Sequence, residues 1–318
     1  MSRCRFVNEM KIYRADSELG MVSGWEIDEL TILGAIGGDI IGSCYELKNT
    51  RIKTTNFELF SPQSTWTDDS VLTIAIAKWL SECCYIPDDT SRLVDITKDI
   101  GFRYRDVGYG KKFKDWLLSD STTPYNSCGN GSAMRVAPVG LFCQELKQCL
   151  FLSKLSASIT HNHPEGIKGA QAIACAIFLS KYGVCKKYIK NYIERKFGYN
   201  LDRSINDIRP NYVFDPTCQG SVPEAIICFL ESADYESAVR LAVSLGGDSD
   251  TMACMAGAIA ACYYRELPKS VIDKIASILP QEFLDILRSF LCQNNDIAKT
   301  ICFDKSVVTK EIKEYVII

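Results

Sequence analysis

The chain has 318 residues, enough for one large domain or two small ones with a sizeable core. Hydrophobic residues make up 47% and charged residues 24%, ordinary proportions for a soluble, enzyme-sized globular chain. A net charge of −3 leaves no global basic field for nucleic acid, and the densest basic stretches, Lys111 to Lys114 and Lys186 to Lys190, read as solvated helix faces. In chain order, residues 1–30 are charged and irregular, with weak strand character at Phe6–Tyr13, and are read as an N-terminal extension. Thr31–Leu47, TILGAIGGDIIGSCYEL, follows as an apolar helix whose glycines 34, 38 and 42 are four apart and form one bare face. Each interior glycine costs a helix about 1 kcal/mol, so something must pack tightly against that face. Asp39 and Glu46 are the polar residues of this greasy segment and both need a reason to be there.

Lys48–Ser64 is polar and turn-rich, and Thr67-Asp68-Asp69 then opens an apolar helix to about Glu82. Two helices, Asp89 to about Asp106 and Lys111–Ser119, are predicted around a Gly108-Tyr109-Gly110 turn. Ser121–Gly131 is a loop by composition. Ser132–Cys143 is helical but broken by Pro138, and Leu146–Thr160 and Glu165–Lys181 are long helices separated by His161-Asn162-His163-Pro164. Further helices are predicted at Lys186–Lys196, Pro223–Ser232, Tyr235–Leu245, Thr251–Tyr264, Val271–Leu279 and Leu284–Leu291, and the tail from Ile301 alternates like a strand. The chain is therefore expected to be all-α, with one core formed from many small-residue helices.

Fifteen cysteines is a high count, but the total is odd, none follow a C-x-x-C spacing, and Cys175, Cys228, Cys254 and Cys262 sit in apolar helical runs. Buried free thiols in a reducing compartment fit that pattern better than disulfides or a zinc site. The N-terminus has no apolar signal core and no apolar run reaches a membrane span, so a cytoplasmic, membrane-free monomer is expected.

The stretch Ser244–Met252, SLGGDSDTM, places Asp248, Asp250 and Thr251 after a Gly-Gly break and before an apolar helix. Small neighbours leave room for a cation, and Mg²⁺ favours a few carboxylates with retained waters. Equally, Asp248 could be an N-cap and Asp250 a first-turn acid. Thr67-Asp68-Asp69 repeats the same device. If the two helix starts face one another, four carboxylates converge and raise one another's pKa, a conflict that a pair of Mg²⁺ or Mn²⁺ ions would resolve. Gly129-Asn130-Gly131-Ser132 is a glycine-rich turn opening a helix, suited to close approach by phosphate but without the G-K-[ST] of a Walker A loop. His161 and His163, the only imidazoles, flank another helix start where donation to a phosphate or ribose would suit. Glu46, at the end of the glycine-faced helix, is a candidate ligand or general base, or simply an exposed helix-end residue.

Six motifs in order, GAIGGDIIGSCYE (34–46), TWTDDS (65–70), GNGSAMR (129–135), THNHPEGIKGAQA (160–172), SVPEAI (221–226) and GGDSDT (246–251), resemble the ADP-ribosylglycohydrolase family, the dinitrogenase-reductase-activating glycohydrolase type. The resemblance implies a single compact orthogonal bundle of helices, with residues 31–295 as the catalytic domain and 296–318 as a tail. It also implies two Mg²⁺ or Mn²⁺ ions held by Thr67, Asp68, Asp69, Asp248, Asp250 and Thr251. Glu46 matches the acid beside the metals, so Glu46, Asp68, Asp69 and Asp250 form the implied catalytic set. Gly129, Asn130, Gly131, Ser132 and Met134 match the loop that holds the diphosphate, His161 a histidine contacting the same ligand, and Gly108, Tyr109 and Gly110 a stretch lining the ADP-ribose cleft. The implied reaction is hydrolysis of the bond from C1″ of ADP-ribose to an acceptor on a modified protein or related conjugate, with Glu46 managing the proton of the attacking water. Two rivals are weaker. A haloacid-dehalogenase-type phosphatase would need Thr or Val where Met252 stands and a strand where Tyr235–Leu245 is helically periodic. A catalytically silent ADP-ribose-binding member would be favoured by loss of Glu46 or a ligand, and all seven are present.

Overall fold

A computed structural model describes residues 27–47, 49–82 and 90–300. The strands expected at 6–13 and from Ile301 lie outside the described residues, as does most of the N-terminal extension. Regular structure is α-helical throughout the described residues: α1 (Ile27–Gly42), a 3-10 turn (Ser43–Tyr45), α2 (Asp68–Glu82), α3 (Ser91–Arg103), α4 (Lys111–Leu118), α5 (Gly131–Met134), α6 (Ala137–Phe142), α7 (Leu146–Ser158), α8 (Pro164–Lys181), α9 (Lys186–Phe197), α10 (Ile205–Ile208), α11 (Cys218–Glu231), α12 (Tyr235–Val243), α13 (Ser249–Tyr264), α14 (Lys269–Ile278) and α15 (Gln281–Thr300). The β-structure among them is an isolated antiparallel bridge, Gly129 to Thr217.

The centre of the bundle is α13. Every residue from Ser249 to Cys262 is buried, because a helix apolar on all sides has no face to give to water. It is surrounded by α1, α12, α11 and α8. Its longest contact is with α1, and there the glycine face finds its partner. A Cβ on Gly38 would lie 2.1 Å from the Ala253 carbonyl oxygen, one on Gly34 2.9 Å from the Gly257 oxygen, and one on Gly42 2.4 Å from the Ser249 oxygen. The two helices run antiparallel with their backbones in contact, so the C-terminus of α1 is delivered to the N-terminus of α13. That approach is what sets Glu46 beside Asp248 and Asp250.

The sequence misplaces some boundaries for definable reasons. The break in 132–143 falls at Arg135–Val136, and Pro138 sits in the first turn of α6, where a missing N–H leaves no bond unmade. Helix α11 starts at Cys218, well before Pro223, because the Thr217 hydroxyl accepts from the Gly220 N–H and caps it. Helix α15 extends well beyond the expected 284–291. Cys175, Cys228, Cys254 and Cys262 are buried free thiols. No helix among the described residues is long and apolar enough to cross a membrane.

Candidate active site

The starts of α2 and α13 do face one another. The Thr251 hydroxyl donates to Asp69 Oδ2 at 3.3 Å, joining the two Thr-Asp clusters directly. Two sets of carboxylates bring oxygens within 4.8 Å of one another: Asp39, Asp69 and Asp250, and Glu46, Asp248 and Asp250. Asp250 belongs to both. Burial pushes the carboxyls of Asp68, Asp69 and Asp250 well above the usual range, and neighbouring carboxylates push them further. Burial also raises Asp248, against hydrogen bonds from Asn130, Asp250 and Thr251 that lower it, and the half-buried Glu46 is raised by burial first and then by Asp248.

Each arm of this cluster has a local cause. Gly246 adopts φ 63°, and a Cβ on Gly247 would lie 2.3 Å from the Tyr212 ring, so the Gly-Gly break is needed to turn the chain into α13. Lys53 Nζ locks that turn by donating to the carbonyls of Arg209, Tyr212 and Leu245. Asp248 stands at the N-cap position of α13 but makes no capping bond; its Oδ2 instead accepts from Asn130 Nδ2 at 2.7 Å. Asn130 thus ties the glycine-rich loop to the acidic cluster. Glu46 follows the 3-10 turn, which Ser249 holds by donating to the Tyr45 carbonyl, and the Glu46 carbonyl accepts from Arg51 Nε.

Asp39 was flagged by its presence in an apolar helix, with no role assigned. The structure gives it one. Its carboxylate accepts from the Thr67 N–H at 2.9 Å, the Thr67 hydroxyl at 2.7 Å, and the Ser70 N–H and hydroxyl. Those are orphan donors at the start of α2, so Asp39 caps that helix from a neighbouring one. Three of those donors fall on Oδ2 and one, the Thr67 hydroxyl, on Oδ1. Asp39 therefore orients Thr67, Asp68 and Asp69 while Oδ1 keeps a lone pair toward Asp69 and Asp250. Burial raises its pKa to about 6, and the four hydrogen bonds hold it down from going further.

The cluster forms one wall of a cavity of about 390 Å³, within the range of small-molecule sites. Glu46, Asp68, Asp69, Gly108, Gly110, Gly129, Asn130, Gly131, Met134, His161, Asp248, Asp250 and Thr251 all line it. The remaining expected residues sit behind the wall. Tyr109 is buried with its ring 4.8 Å from Phe113, Ser132 donates to the Gly166 carbonyl, and the Thr67 hydroxyl donates its hydrogen to Asp39, leaving its oxygen lone pairs for a cation. Gly108, at φ 100°, faces Asp68 Oδ1. The helix opened by the glycine loop is a single turn, so its dipole is small and the loop's value lies in its bare backbone. His161 is buried and faces Gly129 and Gly131; His163 instead caps α8, its Nδ1 accepting from the Glu165 N–H. Lys111, Lys112, Tyr125, Ser127, Phe214 and Thr217 also line the cavity. Lys111 and Lys112 open α4 and read from sequence as a solvated helix face, and the single loop residues Tyr125, Ser127, Phe214 and Thr217 carried no spacing that could have marked them.

The cluster fits a hard cation. Its donors are carboxylate and hydroxyl oxygens, the set that Mg²⁺ or Mn²⁺ takes. Asp69 Oδ1 is buried and lacks any hydrogen-bond partner, a costly state for a carboxylate oxygen unless a cation faces it. The acidic wall, the glycine-rich loop tied to it by Asn130 and the all-helical bundle define a class of enzyme scaffold that comparison makes specific. A family model for ADP-ribosylglycohydrolase matches residues 30–298, and the chain belongs to that family. It is 27% identical over 319 residues to "ADP-ribosylhydrolase ARH3" of Mus musculus, covering 75% of this chain and 84% of that protein. Over 164 residues it is 27% identical to "ADP-ribosylarginine hydrolase Tri1" of Pseudomonas putida, covering 48% of this chain and 43% of that protein. Among solved structures, an "ADP-ribosylglycohydrolase-related protein complex" shares the fold with a TM-score of 0.61 at 21% identity, covering 83% of this chain and 96% of that one.

Proposed function

We propose that the protein is a binuclear-metal-dependent hydrolase that cleaves the C1″ glycosidic bond between ADP-ribose and an acceptor on a modified protein or related conjugate. The observation that carries this reading is the pair of carboxylate sets sharing Asp250 on the cavity wall, with Glu46 beside them. Thr67, Asp68, Asp69, Asp248, Asp250 and Thr251 would hold two Mg²⁺ or Mn²⁺ ions. Bound there, the ions would supply Lewis acidity to the distal ribose. Beside them, the Gly129–Gly131 backbone leaves room for the diphosphate, with His161 alongside. Glu46 lies at the rim of the cluster, with a carboxyl raised above its usual value by burial and by Asp248, which makes it a stronger proton acceptor than a free glutamate. It takes the proton of the water that attacks C1″ as positive charge develops on the sugar. The catalytic unit is taken as residues 31–295.

The test is release of ADP-ribose from arginine-, serine- and nucleobase-linked substrates, with and without Mg²⁺. Release is expected from at least one of them, dependent on the cation. Asp250→Ala, which damages both sets at once, is expected to lower it by at least roughly a hundredfold, the scale of lost Lewis-acid stabilisation. Asp250→Ala turning over like the wild type would sink the reading.

A further inference from the structure

Behind the cavity wall lies a cation with no carboxylate partner among the described residues. Arg135 is fully buried and makes no ion pair with any of them. Its Nη2 donates to the Ser156 carbonyl at 2.7 Å and to Thr160 Oγ1 at 2.9 Å, while Nε and Nη1 have no hydrogen-bond partner. A buried unpaired charge is costly, and such a group persists where something else makes use of it. Arg135 ends the single helical turn that the glycine loop opens, and its field acts on Tyr125 and on His161, both of which line the cavity.

The bonding at Thr160 says how. Its Oγ1 lies 2.8 Å from His161 Nδ1. One lone pair of that oxygen is taken by Arg135, and among the described hydrogen bonds His161 Nδ1 is the one acceptor within reach of its buried hydroxyl hydrogen. A buried hydroxyl left without an acceptor is costly, so Thr160 gives its hydrogen to the imidazole. Nδ1 must then be the acceptor, and the ring proton sits on Nε2. Nε2 is the atom facing the glycine loop: it lies 3.1 Å from where a Cβ of Gly131 would be and 3.5 Å from one of Gly129. Burial, and the like charge of Arg135, hold the His161 pKa well below its usual value, so the ring is uncharged and the choice between its two nitrogens matters.

We propose that Arg135 and Thr160 are positioning residues that fix His161 as its Nε2–H tautomer, aiming one N–H at the Gly129–Gly131 loop as a hydrogen-bond donor to a diphosphate oxygen of the ligand. The diphosphate part of this rests on the functional reading above. The unpaired guanidinium adds a long-range attraction for the same anion, through a low-dielectric wall.

Because the chain has two histidines, His161 and His163, nitrogen-15 NMR of imidazole-labelled protein resolves each ring. In the free protein His161 is expected to show a protonated Nε2 and a bare, hydrogen-bond-accepting Nδ1. Thr160→Val should shift it toward the other tautomer or a mixture, and Thr160→Ser, which keeps the hydroxyl, should restore the wild-type spectrum. In calorimetry with ADP-ribose as probe, Thr160→Val and Arg135→Gln should bind roughly ten- to a hundredfold more weakly, the scale of one hydrogen bond to a charged group, and Thr160→Ser close to normally. A proton on Nδ1 in the wild type, or a His161 spectrum unmoved by Thr160→Val, overturns the proposal even if Arg135→Gln fails to fold. The spectra are read without ligand, so absence of ADP-ribose binding by the wild type would count against the functional reading while the tautomer still decides the relay.

Discussion

Glu46 and Asp39 sit seven residues apart on one segment and answer to different chemistry. Glu46 is half-buried and lines the cavity, and no hydrogen bond from the described residues holds its side chain, so it is free to accept a proton. Glu46→Gln is expected to keep ADP-ribose binding, measured by calorimetry, while turnover falls by roughly 10²- to 10⁴-fold, the range for a general base. Turnover that survives the change would remove Glu46 from the mechanism. Asp39 acts one step further out: its four bonds set the angle at which Asp68 and Asp69 leave the start of α2. Asp39→Asn swaps one acceptor oxygen for a donor that faces N–H and O–H groups. Mg²⁺ affinity is expected to fall by about 10- to 100-fold, the usual effect of losing a group that orients a ligand, with the helical circular dichroism unchanged. Unaltered Mg²⁺ affinity in a folded Asp39→Asn protein would reduce Asp39 to a simple helix cap.

At the scale of elements, the site depends on how closely α1 and α13 approach. Glycine-to-alanine changes inside a helix normally stabilise it by up to about 1 kcal/mol. Gly38→Ala should do the reverse, because the added Cβ would lie 2.1 Å from a backbone oxygen that cannot move aside like a side chain. Prising two buried helices apart is expected to cost about 1–3 kcal/mol, the scale of core overpacking, read from urea denaturation. Gly110→Ala is the control, since its Cβ would meet nothing within 4 Å. A stabilised Gly38→Ala protein would contradict the close packing. The same contact carries the functional geometry: Gly42 abuts Ser249 and Asp250, so any widening there moves Glu46 away from the acids it serves.

For the whole molecule, the acidic cluster couples stability to pH and to cations. Asp39 shows the sign: its folded pKa of about 6 exceeds its ordinary 3.8, so the folded state holds the proton more tightly than the unfolded chain. Stability from such a group is complete below 3.8 and is lost as pH rises through about 6. Asp68, Asp69 and Asp250, raised well above their usual range, carry the loss higher. Divalent cations compete with those protons. The gain in melting temperature on replacing EDTA with Mg²⁺ is therefore expected to grow from about pH 5 to about pH 8. His161, buried and uncharged, works in the opposite direction but contributes alike with and without Mg²⁺, so it cancels from the difference. A gain that shrank with rising pH would mean that the cation binds elsewhere.

Periodicity and composition alone determined that the chain is helical, that α1 carries a bare glycine face, and that two Thr-Asp clusters each open a helix. Those features are local: turn period, missing side chains and capping chemistry are written in consecutive residues. The order of six short motifs carried the family. Tertiary structure decided what consecutive residues cannot hold. It paired the glycine face with α13, turned the two helix starts toward each other, and brought Asp39 to cap a helix that begins 29 residues later. It also withdrew Tyr109 and Ser132 behind the wall and placed Arg135 under His161, because a side chain's surroundings are set by which segments fold back onto it. Asp39 is the clearest case. Its carboxylate in an apolar helix signalled that a partner must exist, and only the packing of α1 against α2 showed that the partner was the start of the helix bearing Asp68 and Asp69.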